Sequence, residues 1–438
     1  MKQTKNSMRR DVYIVDGART PFLKARGKPG VFSASDLAVQ AGRELLARHS
    51  FSPTELDEVV IGCMMPSPDE ANIGRVIALR LGCGKSVPAW TVQRNCASGM
   101  QALDSAYKDI ATGRHDLVLA GGTEAMSRAP LLYNNKMVNW LAGFTSAKTA
   151  GAKLKQMLQF RPANFVPVIA LLRGLTDATI GLNMGQTAEI LAYRFHITRE
   201  EMDEFALLSH KRVAEAQQQG YLNEVLPAFS TKGDYYLQDD GVRVDTTLEK
   251  LGTLKPFFDK KFGSVTAGNS SQISDGAALL LLASKEAIIK YKLPVIARIA
   301  DVEWAGLDPA EMGLGPVYSS TQLLKRYNMR LDDIDYWEIN EAFAAQVLAC
   351  LAAWESEEYC RDYLGLESAM GQIDPARLNI DGGAVALGHP VGASGARIAL
   401  HMANVLKRQN AKRGIATICI GGGQGGAMLI ENISEVNV

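Results

Sequence analysis

Short, uniformly apolar runs alternate along the chain with longer segments of helical spacing. V-Y-I-V at Val12–Val15 has no polar break and predicts a buried strand. Between Ser35 and His49 apolar positions recur every three or four residues, the period of an amphipathic helix. E-V-V-I-G at Glu58–Gly62 predicts a second strand, Ile73–Leu81 a helix, and Trp90–Gln93 a third strand. The small-residue stretch from Ala97 to Thr112 predicts a further helix, and L-V-L-A at Leu117–Ala120 a strand running into a Gly121-Gly122 turn. Strands this apolar must be covered on both faces, so the pattern predicts an α/β fold with a parallel or mixed sheet between helices.

The plan recurs further on. L-D-E-V-V-I-G near Leu56 is echoed by I-D-Y-W-E-I-N near Ile334, and L-V-L-A-G-G near Gly121 by T-I-C-I-G-G near Gly421. Two weak matches in the same order are what an internal duplication leaves. Two such halves would bring their strand ends, and with them a site, to a shared face. Between them lies a different region, about Ala125 to Ser264. From Leu131 to Thr176 it holds six basic residues (Lys136, Lys148, Lys153, Lys155, Arg161, Arg173) and no acid, interleaved with Trp140, Leu141, Phe144, Phe160 and Phe165. From Thr187 to Gly220 it predicts two charged helices, with Thr198-Arg199-Glu200-Glu201 as an N-cap and acidic first turn.

Composition narrows the classes. With 438 residues and 47% apolar content a large core is available. Lys plus Arg and Asp plus Glu are both 47, and this balance argues against a nucleic-acid binder. None of the six cysteines forms a C-x-x-C pair or a zinc-like Cys/His cluster, so free thiols and no metal are expected. Met1–Arg10 is basic but lacks the apolar core of a signal peptide, and no apolar run reaches spanning length, so a cytoplasmic protein, or one inside a compartment, is expected.

Four places carry candidate chemistry. Cys96, in N-C-A-S-G-M, sits where a strand meets a helix; a helix N-terminus there would lower the thiol pKa and make a nucleophile. The other reading is an inert buried cysteine. His389 lies in G-G-A-V-A-L-G-H-P-V-G-A-S-G, before a helix expected from about Ala393, and suits a base or an oxyanion donor. A glycine loop with an incidental histidine is the alternative. Cys419 opens C-I-G-G-G-Q-G-G, whose peptide N–H groups could form an oxyanion hole, or which is a plain glycine hairpin. Asn340, in N-E-A-F-A-A, could hold a water or polarise a carbonyl, and could equally cap the next helix.

N-C-A-S-G, G-N-S-S-x-x-S-D-G-A, N-E-A-F-A, G-G-A-x-A-L-G-H-P-x-G-A-S-G and C-x-G-G-G-x-G, in this order and after V-D-G-A-R-T-P-F at Val15–Phe22, resemble the motif series of thiolases over nearly the whole chain. The resemblance implies the thiolase fold: two similar βαβ-type halves with mixed sheets, layered α/β/α/β/α, plus an inserted loop domain. It places the N-terminal half at 8–124 and 265–289, the loop domain at 125–264 and the C-terminal half at 290–438. Cys96 then corresponds to the acylated nucleophile and His389 to the base that activates it and later serves the substrate thioester oxygen. Asn340 corresponds to the holder of a water in that first oxyanion site. Cys419 corresponds to the second acid/base, and the N–H groups of Cys96 and Gly421 to the second oxyanion site. Ser271, Arg243, Met184 and Asn183 fall where thiolases contact coenzyme A, which is a substrate; no permanently bound cofactor is implied.

The reaction implied is thiolytic cleavage of 3-ketoacyl-CoA in fatty-acid β-oxidation. Where short-chain biosynthetic thiolases read H-M-G-x-T-A-E, this chain reads N-M-G-Q-T-A-E at Asn183–Glu189. Its 131–182 segment resembles that of the thiolase subunit of β-oxidation trifunctional complexes. A degradative enzyme is therefore expected, with short-chain acetyl-CoA acetyltransferase as the alternative. A homodimer or dimer of dimers is implied, with a hydratase/dehydrogenase subunit as a further candidate partner. Residues 131–182 read as a membrane dock, a partner dock or an acyl-tunnel lid. Two other classes compete. A ketoacyl-ACP synthase would carry a second histidine where Cys419 stands, and an inert thiolase-like lipid-binding or scaffold subunit would be expected to lose Cys96, His389 or Cys419.

Overall fold

The computed structural model describes residues 10–433; the rest of the basic start and the last residues of the expected C-terminal half lie outside it. The first half runs β1 (Val12–Arg19), α1 (Ala34–Ala47), β2 (Glu58–Gly62), α2 (Ile73–Arg80), β3 (Ala89–Val92), α3 (Ser98–Ala111) and β4 (Leu117–Ala125). The intervening region contributes α4 (Asn135–Ser146), α5 (Ala150–Leu158), α6 (Met184–Arg194) and α7 (Arg199–Gln219). There follow β5 (Ser274–Ala283), β6 (Ala297–Gly306), α8 (Gly315–Tyr327), β7 (Tyr336–Ile339), α9 (Ala344–Glu355), α10 (Val391–Gln409), β8 (Arg413–Ile420) and β9 (Gln424–Asn432).

The strands form one ten-stranded sheet in the order β7-β8-β9-β6-β1-β5-β4-β2-β3, with Leu23–Lys24 pairing β5 off this path. The two halves meet where β1 pairs β6 antiparallel. On either side the arrangement repeats: β2 lies parallel to β4 as β7 does to β8, while β5 pairs β1 and β4 antiparallel as β9 pairs β6 and β8. The two echoes in sequence thus fall on equivalent strands, β2 with β7 and β4 with β8.

Alternation along these strands sorts the layers. Val59 and Ile61 face one way and pack with Leu37, Leu45, Ile73 and Ile77 of α1 and α2. Val60, Val118, Leu280, Ile418 and Ile430 face the other way, onto Met100 and Leu103 of α3 and Ile398 and Met402 of α10. Ile339, Ile415 and Leu429 pack on Val317, Leu323, Val347 and Trp354 of α8 and α9. This is the five-layered mixed α/β arrangement expected, with α3 and α10 as the shared middle layer.

Three boundaries differ from the pattern. β1 continues through D-G-A-R to Arg19 because that stretch still pairs with β5. Gly121 and Gly122 make no turn but lie inside β4, and a Cβ on Gly122 would come within 1.9 Å of Gly392 O at the start of α10. That helix begins at Val391 rather than near Ala393, its first amides bonding back to Pro390 O. The glycines at 99, 122, 392 and 395 allow α3 and α10 to cross in near-backbone contact: Cβ atoms on Gly99 and Gly395 would meet Gly392 O at 2.8 Å and Met100 N at 2.6 Å. In the intervening region Thr198 caps α7 through a capping box with Glu201, as the sequence predicts.

Arg19 is fully buried. Its guanidinium donates to both carboxylate oxygens of Asp239 at 2.6 and 2.9 Å and lies 3.5 Å from Glu224, which also contacts His401 of α10 at 3.1 Å. The network ties β1, the intervening region and the middle layer together. Arg19→Met leaves two buried carboxylates short of their partner, so a loss of about 3–5 kcal/mol is expected. Urea denaturation of both proteins checks this; an unchanged midpoint would assign the network no stabilising role.

Candidate active site

The C-terminal ends of β3, β7 and β8 and the N-termini of α3 and α10 converge. Beyond β3 the chain reverses through Arg94-Asn95, with Asn95 in the left-handed region at φ 43°. Ala97 N donates to Arg94 O at 3.0 Å and Ser98 Oγ to Asn95 O at 2.7 Å. Asn95 Nδ2 donates 2.8 Å to Gly421 O, tying this turn to the β8–β9 hairpin. Arg94 lies 4.3 Å over the Trp304 ring and reaches Gln424 Oε1 at 2.8 Å, which fixes the two turns from outside. Cys96 is thereby held with two backbone N–H groups directed at its sulfur, its own and that of Gly421. Gly421 has little room for a side chain: a Cβ would stand 3.1 Å from Met184 Sδ.

Cys96 as a residue is only partly buried, yet burial of its sulfur is the largest influence and raises the thiol above its ordinary range. The two N–H groups oppose this incompletely. The expectation of a thiol acidified by a helix start is therefore corrected: α3 begins at Ser98, two residues on, and desolvation outweighs the helix field. Alkylation of Cys96 by iodoacetamide should then climb about tenfold per pH unit with no plateau below about pH 8.5, because the thiolate reacts. A plateau near neutrality would show a resting thiolate instead.

Cys419 lies near the end of β8, on the face opposite Ile418 and Ile420, and is buried. Burial, and then the proximity of Cys96, push its thiol well above the ordinary range, so it is protonated at neutral pH. Asn340 follows β7 directly and its N–H bonds Thr417 O at 2.9 Å, two residues before Cys419. The helix beyond starts at Ala344 with Phe343 as its N-cap, so Asn340 is not the cap. Its Oδ1 and Nδ2 are both buried and without a protein partner among the described residues. Buried carboxamides are ordinarily bonded, so this one points to a bound group.

His389 N–H donates to Gln272 O at 3.1 Å, and its Nδ1 lies 2.6 Å from Ser394 Oγ. Ser394 Oγ donates to Pro390 O at 3.1 Å, which assigns the ring proton to Nδ1. Nε2 is then a bare lone pair, buried and unpartnered among the described residues. Burial, and secondarily Arg397, push the imidazole down to about 3, so it is neutral at physiological pH.

The loop Asn269–Gln272 links the remaining positions. Ser271 N donates to Ala342 O at 3.0 Å, and Gln272 Nε2 to Gly241 O at 2.9 Å, next to the turn that carries Arg243. Arg243 is exposed. Lys24 and Arg26 lie close enough that, after burial, Arg243 and then Arg26 lower Lys24. Met184 stands against Gly421. Asn183 is placed differently from the rest: its Oδ1 caps α6 by accepting Gln186 N at 3.0 Å, reciprocated by Gln186 Oε1, so its carboxamide oxygen is occupied in the fold.

Several supporting residues escape the motif reading. Glu124, buried in β4, accepts from Met64 N at 2.8 Å, Met65 N at 3.1 Å and Gly392 N at 3.1 Å, fixing the start of α10. Burial raises it to about 7 against those bonds. An acid closing an apolar strand, as in L-V-L-A-G-G-T-E, was the available signal. Glu341 accepts from Ser209 Oγ at 2.6 Å, Asn379 Nδ2 at 2.8 Å and Val385 N at 3.1 Å, joining the Asn340 strand end to the His389 loop. The one group of three potential metal ligands among the described residues, Glu58, Asp109 and His115, lies at the far end of α3 and β2 from Cys96 and belongs to no part of this site.

A duplicated, five-layered α/β fold with a cysteine and glycine-turn amides at its shared face defines an enzyme of the acyltransferase class. The family model described as "Thiolase, N-terminal domain" matches residues 12–286, and "Thiolase, C-terminal domain" matches 293–432. The chain belongs to the thiolase family. It is 38% identical to mitochondrial 3-ketoacyl-CoA thiolase of Rattus norvegicus over 97% of this chain and 98% of that one. It is 35% identical to the mitochondrial trifunctional enzyme subunit beta of Bos taurus over 96% of this chain and 88% of that one. The crystal structure of human mitochondrial 3-ketoacyl-CoA thiolase in complex with CoA superposes with a TM-score of 0.81 at 36% identity, covering 97% of this chain and 98% of that one. Such likeness to a thiolase and to a trifunctional subunit alike does not single out the trifunctional subunit that the 131–182 segment brought to the fore.

Proposed function

We propose that the chain is a degradative 3-ketoacyl-CoA thiolase. The observation that carries this reading is the convergence of a nucleophile held under two N–H groups, a second buried thiol beside it, and two unpartnered buried polar groups, His389 Nε2 and the Asn340 carboxamide. His389 Nε2 takes the Cys96 proton as the sulfur attacks the keto carbon, and the oxyanion forms against the N–H groups of Cys96 and Gly421. The bond between the α carbon and the former keto carbon breaks, leaving an acyl group on Cys96 and an enolate on the departing thioester. The now protonated Nε2, with a water held by Asn340, receives the enolate oxygen, and Cys419 protonates the α carbon to give acetyl-CoA. Incoming CoA gives its thiol proton to the Cys419 thiolate and attacks the acyl-cysteine, releasing a shortened acyl-CoA and returning Cys96 as thiolate to recover its proton from His389.

Met184, Phe258, Met312, Val265 and Phe343 form an apolar cluster around Cys419, suited to an acyl chain. Ser271 lies on the pantetheine side, and Arg243 with Lys24 offers cations to the nucleotide phosphates. The acting form is a homodimer or dimer of dimers: β3 is an outer strand of the sheet with Trp90 exposed, an edge that proteins ordinarily cover.

The test is a thiolysis assay across 3-ketoacyl-CoA chain lengths, followed by loss of the enolate absorbance. CoA-dependent cleavage extending beyond acetoacetyl-CoA is expected. Turnover of carrier-protein thioesters alone, or of nothing by folded protein, would overturn the reading.

A further inference from the structure

We propose that Glu124 is a positioning residue for acyl transfer: its carboxylate pins the first turn of α10, and through Ser394 the ring of His389, to the strand ends beside Cys96. This role rests on the reading of His389 as the base that activates Cys96.

Glu124 lies one residue from the end of β4 and is fully buried. Four groups reach its carboxylate, and all are donors. Oε1 accepts from Met65 N at 3.1 Å and from the Cys63 thiol at 3.5 Å; Oε2 accepts from Met64 N at 2.8 Å and Gly392 N at 3.1 Å. Burial opposes its charge, and these donors, with no cation among the main influences, favour it. A buried anion held by three amides fixes backbone.

The backbone so fixed belongs to the site. Gly392 is in the first turn of α10, three residues beyond His389, and Ser394 of the same turn accepts the His389 Nδ1 proton at 2.6 Å. The turn has no slack: a Cβ on Gly392 would stand 2.4 Å from Thr123 O and 3.1 Å from Cys63 Cα. Gly62 leads into the Cys63–Met65 loop, and a Cβ there would meet the carbonyl carbon of Ser98, the first residue of α3, at 2.3 Å. Glu124 thus ties the helix of the base to the loop packed under the helix of the nucleophile. Its charge also reaches Cys96: burial foremost, and then Glu124, raise that thiol.

Few other titratable groups face Glu124. Cys63 and Cys96 are thiols raised by burial, Glu70 lies beyond Cys63, and His389 is pushed down to about 3. Asp275 adjoins Gly276, the β5 partner of Glu124, but alternates to the other face and accepts from Ser127 N. Burial lifts Glu124 itself to about 7. Above that pH the bonds are whole. As pH falls through it, the carboxyl gains an O–H that meets only donors, and an amide bond is lost.

Acetylation of Cys96 by acetyl-CoA, followed by intact mass across a pH series, tests this in the wild type and in Glu124→Gln. The isosteric amide turns a donor toward the amides. It should slow acylation about tenfold to a hundredfold with little change in the half-saturating acetyl-CoA concentration. The wild-type rate should fall on the acid side with a midpoint of about 7, and the variant, with no proton to take, should lack that limb. A wild-type rate flat through this range, an unchanged rate in the folded variant, or an acid limb shared by both would overturn the role of Glu124 and leave acyl transfer standing. Failure of the wild type to acylate would remove the reading of the base and this role together. Should the variant not fold, the wild-type acid limb decides alone.

Discussion

Cys96→Ser is expected to abolish thiolysis and condensation together, lowering kcat by at least about a thousandfold while the protein stays folded. Burial already holds the Cys96 thiol above its ordinary range, so attack depends on proton transfer to His389 as the carbon–sulfur bond forms. A serine hydroxyl is far harder to deprotonate than a thiol and would face the same desolvation. The N–H groups of Cys96 and Gly421 would remain, so substrate binding should change little and the loss should fall on kcat. Steady-state kinetics with circular dichroism as a fold check decides it; substantial turnover by the serine variant would remove Cys96 from the nucleophile role.

The second large effect separates His389 from Cys419. His389→Ala removes the bare Nε2 lone pair and should slow acylation of Cys96 itself by at least about a hundredfold. Cys419→Ala leaves that acceptor in place. Acylation by an acyl-CoA should persist, though slowed, while exchange of the acetyl methyl protons with solvent is lost, because the group that returns a proton to the α carbon is gone. Intact-mass measurement of acyl-enzyme formation and exchange into deuterated buffer read the two steps separately. Equal acyl-enzyme formation in both variants would contradict the division of roles.

Much of this was legible in the sequence where local chemistry and global packing agree. The apolar runs at Val59–Ile61 and Leu117–Ala120 could only be strands covered on both faces, and the echoes between β2 and β7 and between β4 and β8 fall on equivalent strands. Cys96, Cys419, Asn340 and His389 stood out because each sits at an element boundary beside residues with little packing reason to be there. What stayed hidden depends on contacts distant in sequence. The Gly121-Gly122 pair reads as a turn locally but is strand because both residues pair with β2 and β5, and Gly122 leaves room for α10 to pass close against it. The acidity of Cys96 could not be read from a helix start two residues away, since desolvation by the whole fold sets it. Asn183 matched a motif position, but its carboxamide oxygen is taken by the cap of α6. Glu124 and Glu341, which join the loops that carry the site, had no repeating pattern to announce them.

The most direct test of the account is trapping of the covalent intermediate. The protein is incubated with acetyl-CoA, quenched in acid and digested, and the modified peptide is mapped by mass spectrometry. A single acetyl group is expected, on Cys96, and it should disappear when free CoA is added before the quench. Acetylation of Cys419 in place of Cys96, or no acyl-enzyme from protein that turns over substrate, would contradict it.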